Sequence, residues 1–195
     1  PRFRLAPGQI LAPGWSDDAS VALVMVAKAG SINGHFRAPA LCDIPATAAG
    51  VDLYTEAAAW CDTNSYTSER MAACWPMLSL GTETYHLSTQ VAATNMLLDA
   101  ANDDIPYHSP SNQRLQADGA VLADGTAVYL GPNQAAALNG EGIITALNWI
   151  GGWRCWGNRT AAYPATTDPK DSFISVRRMM DWIGNTLILT FWQKI

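Results

Sequence analysis

Charge is scarce in this 195-residue chain: only 15% of residues are Asp, Glu, Lys or Arg, against roughly 25% in ordinary soluble domains. The twelve Lys and Arg are outnumbered by seventeen Asp and Glu, leaving a net charge of −5. A chain so poor in basic residues has no electrostatic footprint for nucleic acid and none for an anionic membrane surface. No C-x-x-C pair occurs among Cys42, Cys61, Cys74 and Cys155, so zinc-finger and thioredoxin-type motifs are excluded. In a chain that is not small, four buried free thiols are expected rather than two disulfides. His35, His86 and His108 lack the i, i+4 spacing of a helical metal site. Asp103-Asp104 lacks the alternating ligand spacing of a calcium loop. No Gly-rich phosphate loop precedes a helix, so the expected cofactor and metal complement is none. No internal repeat or low-complexity segment is present.

Large aromatics are abundant, with eight tryptophans. Few charges and many aromatics suit a subunit that hides surface against neighbours, although a single large core explains them equally. The chain opens on Pro1 rather than Met and in mid-pattern; the expectation is a piece of a longer protein.

Periodicity predicts an alternation of helices and strands. Residues 2–10 read as the end of a strand or an extended entry, punctuated by Pro7-Gly8 and Pro13-Gly14 turns. Ser16-Asp17-Asp18 predicts the capped start of a helix to about Ala29, with Val21, Val24, Met25 and Lys28 on its period. A strand over 36–43 ends at Asp43, the position where open α/β sheets place catalysis; a cap or loop anchor for the next unit is the preferred reading. A helix over 52–61 follows, then a strand over 70–80 interrupted by Pro76, which argues for an edge or a bulge. Residues 85–101 form the clearest helix, with Leu87, Val91, Ala92 and Leu98 inward and Thr89, Asn95 and Asp99 outward. Residues 102–118 read as a long polar surface loop, or a short helix from Ser111 inside one, and mark a possible sub-boundary. Asp124-Gly125 signals a tight turn, and a short helix covers 133–139. The apolar run Ile143 to Leu147 reads as a buried strand reaching Trp149. The last element, 173–194, is apolar nearly all round and reads as a buried helix, with Val176, Met180, Ile183 and Leu187 on one face; Arg177, Arg178 and Asp181 exclude a membrane span. The expected fold class is α/β, a mainly parallel or mixed sheet flanked by helices, with a long buried C-terminal helix.

The stretch 148–164 organises the chain. Gly151, Gly152 and Gly157 alternate with Trp149, Trp153 and Trp156, and Arg154 and Arg159 lie between them. Glycine allows bulky rings close to backbone, so Trp153 and Trp156 are expected in the core, with Arg154 and Arg159 anchoring the loop. Arginines interleaved with aromatics also suit base stacking, a reading the negative charge sets aside.

Two strings here resemble a known family. Gly151-Gly152-Trp153-Arg154-Cys155-Trp156-Gly157-Asn158-Arg159-Thr160 and Ser175-Val176-Arg177-Arg178, about fifteen residues apart, look like those of the tail sheath protein of contractile phage tails, a family that includes prophage tails and phage-tail-like bacteriocins. The resemblance is sharpest over 135–195 and weaker over 15–80. It implies a core fragment, residues 1–195, of a sheath subunit with a subtilisin-like core. Its implied work is mechanical: subunits stack as rings around the tail tube, then rearrange into a wider, shorter helix that drives the tube through a cell envelope. The implied partners are neighbouring sheath subunits, the tail tube protein and the baseplate, with no nucleic acid and no membrane. The implied location is the phage tail of a virion, assembled in the bacterial host cytoplasm. Terminal arms outside the fragment would stitch subunits together by strand addition, so the fragment alone is expected to build no sheath.

A subtilisin-like core calls for a test of its triad. Gly125-Thr126 is followed by Ala127, Gly34 precedes His35, and Gly81-Thr82 is followed by Glu83; none matches the sequence context of such a site. Cys42 beside Asp43, with His35 seven residues away, is the remaining nucleophile candidate. The expectation is a protein that is not an enzyme. The runners-up are an α/β hydrolase-like enzyme, which a Ser/His/Asp cluster in a pocket would favour, and a different viral or secretion-system assembly protein.

Overall fold

The computed structural model describes residues 7–193. Its centre is a five-stranded sheet built from β1 (Ile10–Leu11), β2 (Ala40–Asp43), β3 (Met71–Cys74), β7 (Ile143–Asn148) and β8 (Trp153–Trp156), in that spatial order. The first four run parallel, with Leu41 opposite Ala72 and Cys74 opposite Ile144; β8 returns antiparallel to β7. The strands β2, β3 and most of β7 are buried residue by residue, as expected where helices cover both faces.

Alternate residues point to opposite faces. Ala40, Cys42, Met71, Ala73 and Ile143 share one core with α1 (Ala19–Ala29), α2 (Ala57–Thr63) and α4 (Pro132–Gly140). Leu41, Ala72, Cys74, Ile144 and Ala146 share the other with α3 (Leu87–Ala100) and with Ile174 at the start of α6 (Ile174–Trp192). The short α5 (Pro169–Ser172) leads into α6. The expected α/β architecture and the long C-terminal helix are both present.

Pro76 marks neither an edge nor a bulge. At the Trp75-Pro76 junction the chain leaves the central sheet and enters a second one, in which β4 (Met77–Leu80) lies antiparallel between β5 (Glu83–Tyr85) and β6 (Gly119–Val121). The 102–118 loop is not merely superficial: Asn112 and Leu115 donate backbone bonds to Cys155 and Trp153 on the outer edge of β8, and Leu115 is buried.

Three orientations differ from the sequence reading. On α1 the inward residues are Ala22, Met25 and Ala29, while Val24 is exposed; the small residues let the helix sit close to the sheet. On α3 Asn95 is buried and donates to Gln9 at 3.1 Å. The largest correction concerns α6, which is not buried all round. Its inward residues are Ile174, Ser175, Arg178 and Asp181, while Met180, Ile183, Leu187 and Phe191 face outward. Beyond Ile174, ion pairs hold it: Asp181 accepts from Arg70 at 2.5 Å, and Arg178 grips Asp99 with both guanidinium nitrogens. Farther along, Asn185 exchanges two bonds with the backbone of Arg37. Residues 2–6 of the expected entry lie outside the described residues; within them, Ile10–Leu11 is a strand.

Candidate functional site

The two motif strings meet. Asn158 donates to Ser175 Oγ at 2.9 Å and accepts from the Ser175 N–H at 3.2 Å, while its carbonyl accepts from Ile174. Asn158 therefore supplies the cap that α6 lacks, since its N-cap residue Phe173 offers no side-chain bond. Thr160 ties the same junction to α5: its N–H donates to the Ser172 carbonyl and its hydroxyl to that of Asp171. Arg177 pairs with Asp171. The spacing of the two strings thus reflects one joint between β8 and the last helix.

The tryptophans of this stretch occupy a different place from the one expected. Along β8 the buried residue is Cys155, while Trp153 and Trp156 are half-buried, with Trp153 packed against the second core. Among the described residues neither arginine pairs with a carboxylate. Arg154 donates to the Asn112 carbonyl at 3.3 Å. Arg159 lies between two rings, 4.1 Å from Tyr163 and 3.9 Å from Phe173, a cation–π sandwich. Gly157 holds φ at +128°, and a Cβ there would come within 3.3 Å of the Ile144 Cα; only glycine serves. Val176 is half-buried one residue beyond the joint.

At the other end of β8, Gly151 and Gly152 belong to the β7–β8 hairpin. Ile150 (φ +43°) and Gly151 (φ +81°) form its two-residue tip, closed by a Trp149 N–H bond to the Gly152 carbonyl at 2.9 Å. Two positive φ angles are the signature of a type I′ turn, which favours Asn-Gly. Trp149 and Ile150 project from it, 42% and 81% exposed.

A second arrangement was missed in the sequence. Buried Asp43, at the carboxyl end of β2, accepts from Ser88 Oγ at 2.6 Å, from the Ser88 N–H at 3.1 Å and from Ser16 Oγ at 3.1 Å. His86 Nδ1 stands 3.5 Å from the same carboxylate. The residue types are those of a hydrolase triad, but the connectivity is not. Both serines donate to the carboxylate instead of to an imidazole that could remove their proton, and both are fully buried. Burial pushes the Asp43 carboxyl up, opposed by the Ser88 bonds, His86 and Ser16. The cluster is a cap: His86, the N-cap residue of α3, makes no side-chain bond of its own, and Asp43 satisfies the helix N-terminus in its place. Asp43 therefore anchors an element, as preferred, but α3 rather than the next unit α2.

The cysteine candidate fails on chemistry. All four cysteines are free and buried; burial pushes the thiols of Cys42, Cys61 and Cys155 up to about 12 and that of Cys74 well above its ordinary value, which suppresses the nucleophilic thiolate. His35 is turned instead against the Trp192 ring at 5.3 Å. Among the described residues no group of three or more His, Cys, Asp or Glu is placed to hold a metal, and no helix is long and apolar enough to cross a membrane.

No protein-family model matches the chain. Over 128 residues it is 32% identical to a tail sheath protein of Burkholderia phage BcepMu, a match covering 62% of this chain and 26% of that protein. The chain thus spans about a quarter of this relative. Among solved structures it superimposes on the sheath complex of an extracellular contractile injection system in the contracted state, with a TM-score of 0.69 and 19% identity, over 97% of this chain and 49% of the other. A sheath tail protein from Desulfitobacterium hafniense gives a TM-score of 0.58 at 14% identity, over 89% of this chain and 37% of that one. The helical sheath of the anti-feeding prophage in its contracted state gives 0.59 at 21%, over 89% and 43%. These likenesses establish a shared fold.

Proposed function

We propose that this chain, a homologue of tail sheath proteins, forms the body of a sheath subunit that polymerises around a tail tube, contacts a baseplate and contracts to drive the tube through a host envelope. The observation that carries this reading is the 32% identity to a phage tail sheath protein over 128 residues, joined to a fold shared with sheath structures over nearly the whole chain. In this reading residues 1–195 act as one core unit, assembled in the bacterial cytoplasm and housed in the tail. The residues 151–160 and 175–178 have an assembly role: the Asn158–Ser175 joint keeps the body stiff while contacts between subunits rearrange. The work is mechanical. The Asp43 cluster gives the hydrolase alternative no support, because its serines lack a base.

Peptide mapping of purified contractile particles tests the reading. The sequence is expected in the sheath layer, in many copies per particle. Its absence from the particles, or its presence in one or two copies, overturns the proposal.

A further inference from the structure

We infer that the β7–β8 hairpin tip of one copy seats Trp149 and Ile150 in an apolar groove beside β1 and α1 of the next copy. The tip combines two features unfavourable to an isolated chain. Ile150 is β-branched yet held at φ +43°, in a region such residues avoid, and its side chain is 81% exposed. Strain of this kind persists where a contact uses it. The groove, about 400 Å³, is formed by Ile10, Val21, Val24 and Met25, with Ser20 and Lys28 at its margin. It explains the outward Val24, 59% exposed on a helix whose inward residues are alanines and Met25. Among the described residues nothing fills it.

The placement of the two features names the occupant. Spatial order runs β1-β2-β3-β7-β8, so the groove flanks one edge of the central sheet and the hairpin the other. One copy cannot fill its own groove across the sheet, but a second copy alongside can. Each copy then presents a tip on one side and a groove on the other. Such a head-to-tail contact repeats along a ring or helix instead of closing as a two-fold dimer. The contact is small and apolar, suited to an interface that must release during a rearrangement.

Disulfide trapping tests it, because the four native thiols are buried and unreactive. Mixing I150C chains with V24C chains under mild oxidation is expected to give the mixed disulfide roughly tenfold faster than I150C with T84C, a control on exposed β5, since docking raises the effective concentration of the pair. Equal rates for the two mixtures, or a predominance of I150C self-pairs, overturns the contact. I150N provides the second readout: it is expected to melt higher than the parent chain while losing concentration-dependent association in sedimentation. Association that survives I150N also overturns it. The contact rests on the reading that the chain works in repeated copies. Equal trapping rates with the chain still found in sheath particles would sink this contact alone, whereas absence from particles would sink the sheath reading.

Discussion

Ile150 and Gly157 show opposite uses of a positive φ. At Gly157 the geometry is imposed by packing, with the Ile144 backbone and the Asn139 side chain close by. Gly157→Ala is expected to cost about 2–3 kcal/mol, strain and crowding combined, seen as a lower urea midpoint; an unchanged midpoint would show that the backbone shifts freely. At Ile150 the side chain is mostly exposed, so Ile150→Asn relieves strain and is expected to add about 1 kcal/mol, a rise in Tm of about 2–4 °C for a chain of this size. A lower Tm would contradict the strain assigned to the tip. The thiols give a third residue-scale expectation. With pKa values near 12 for Cys42, Cys61 and Cys155, the native chain at pH 8 holds almost no thiolate and reacts slowly with a disulfide reagent. Denaturant releases all four cysteines; rapid native labelling would place one of them at the surface.

Among the elements, α6 is where composition misleads. Its apolar residues outnumber its charges, and periodicity marks stripes without saying which of them faces the body. Burial went to Arg178 and Asp181 because Asp99 and Arg70 stand ready beneath them. Asp181→Ala leaves Arg70 buried without its main partner and is expected to cost about 3 kcal/mol or more. Met180→Ala, on the outward face, should cost under about 0.5 kcal/mol. Denaturant titration of both variants decides it, and a larger loss for Met180 would reverse the assignment. The alternation of helices and strands was legible, because apolar runs such as Ile143 to Leu147 mark buried parallel strands. The Asn158–Ser175 joint was legible as two strings, although what links them was not. The Asp43 cap was illegible: Ser16, Asp43 and Ser88 lie 27 and 45 residues apart, and nothing local in a sequence records a bond of that span. The hairpin tip was half legible: glycine takes a positive φ without steric cost, so Gly151-Gly152 suits a bend, but nothing local marks the strand β8 beyond it.

For the whole molecule, composition left covered surface and a single large core equally open, and the exposed apolar residues of α6, the hairpin and α1 show that the body's own core does not take them all in. The chain by itself is expected to be a monomer or a small, concentration-dependent oligomer. Regular tubes in negative-stain images at micromolar concentration would contradict this. The same helix, α6, has a mechanical consequence. Greasy packing tolerates sliding and rolling, since dispersion contacts lack direction. Hydrogen-bonded charge pairs do not: the Arg70–Asp181 and Arg178–Asp99 pairs and the Asn185 clasp fix both the rotation and the axial position of a rod about 28 Å long. A load applied to its outward apolar side therefore meets a detent rather than a bearing. Torque passes into α3 and the segments that lead into β2 and β3 until the pins shear together.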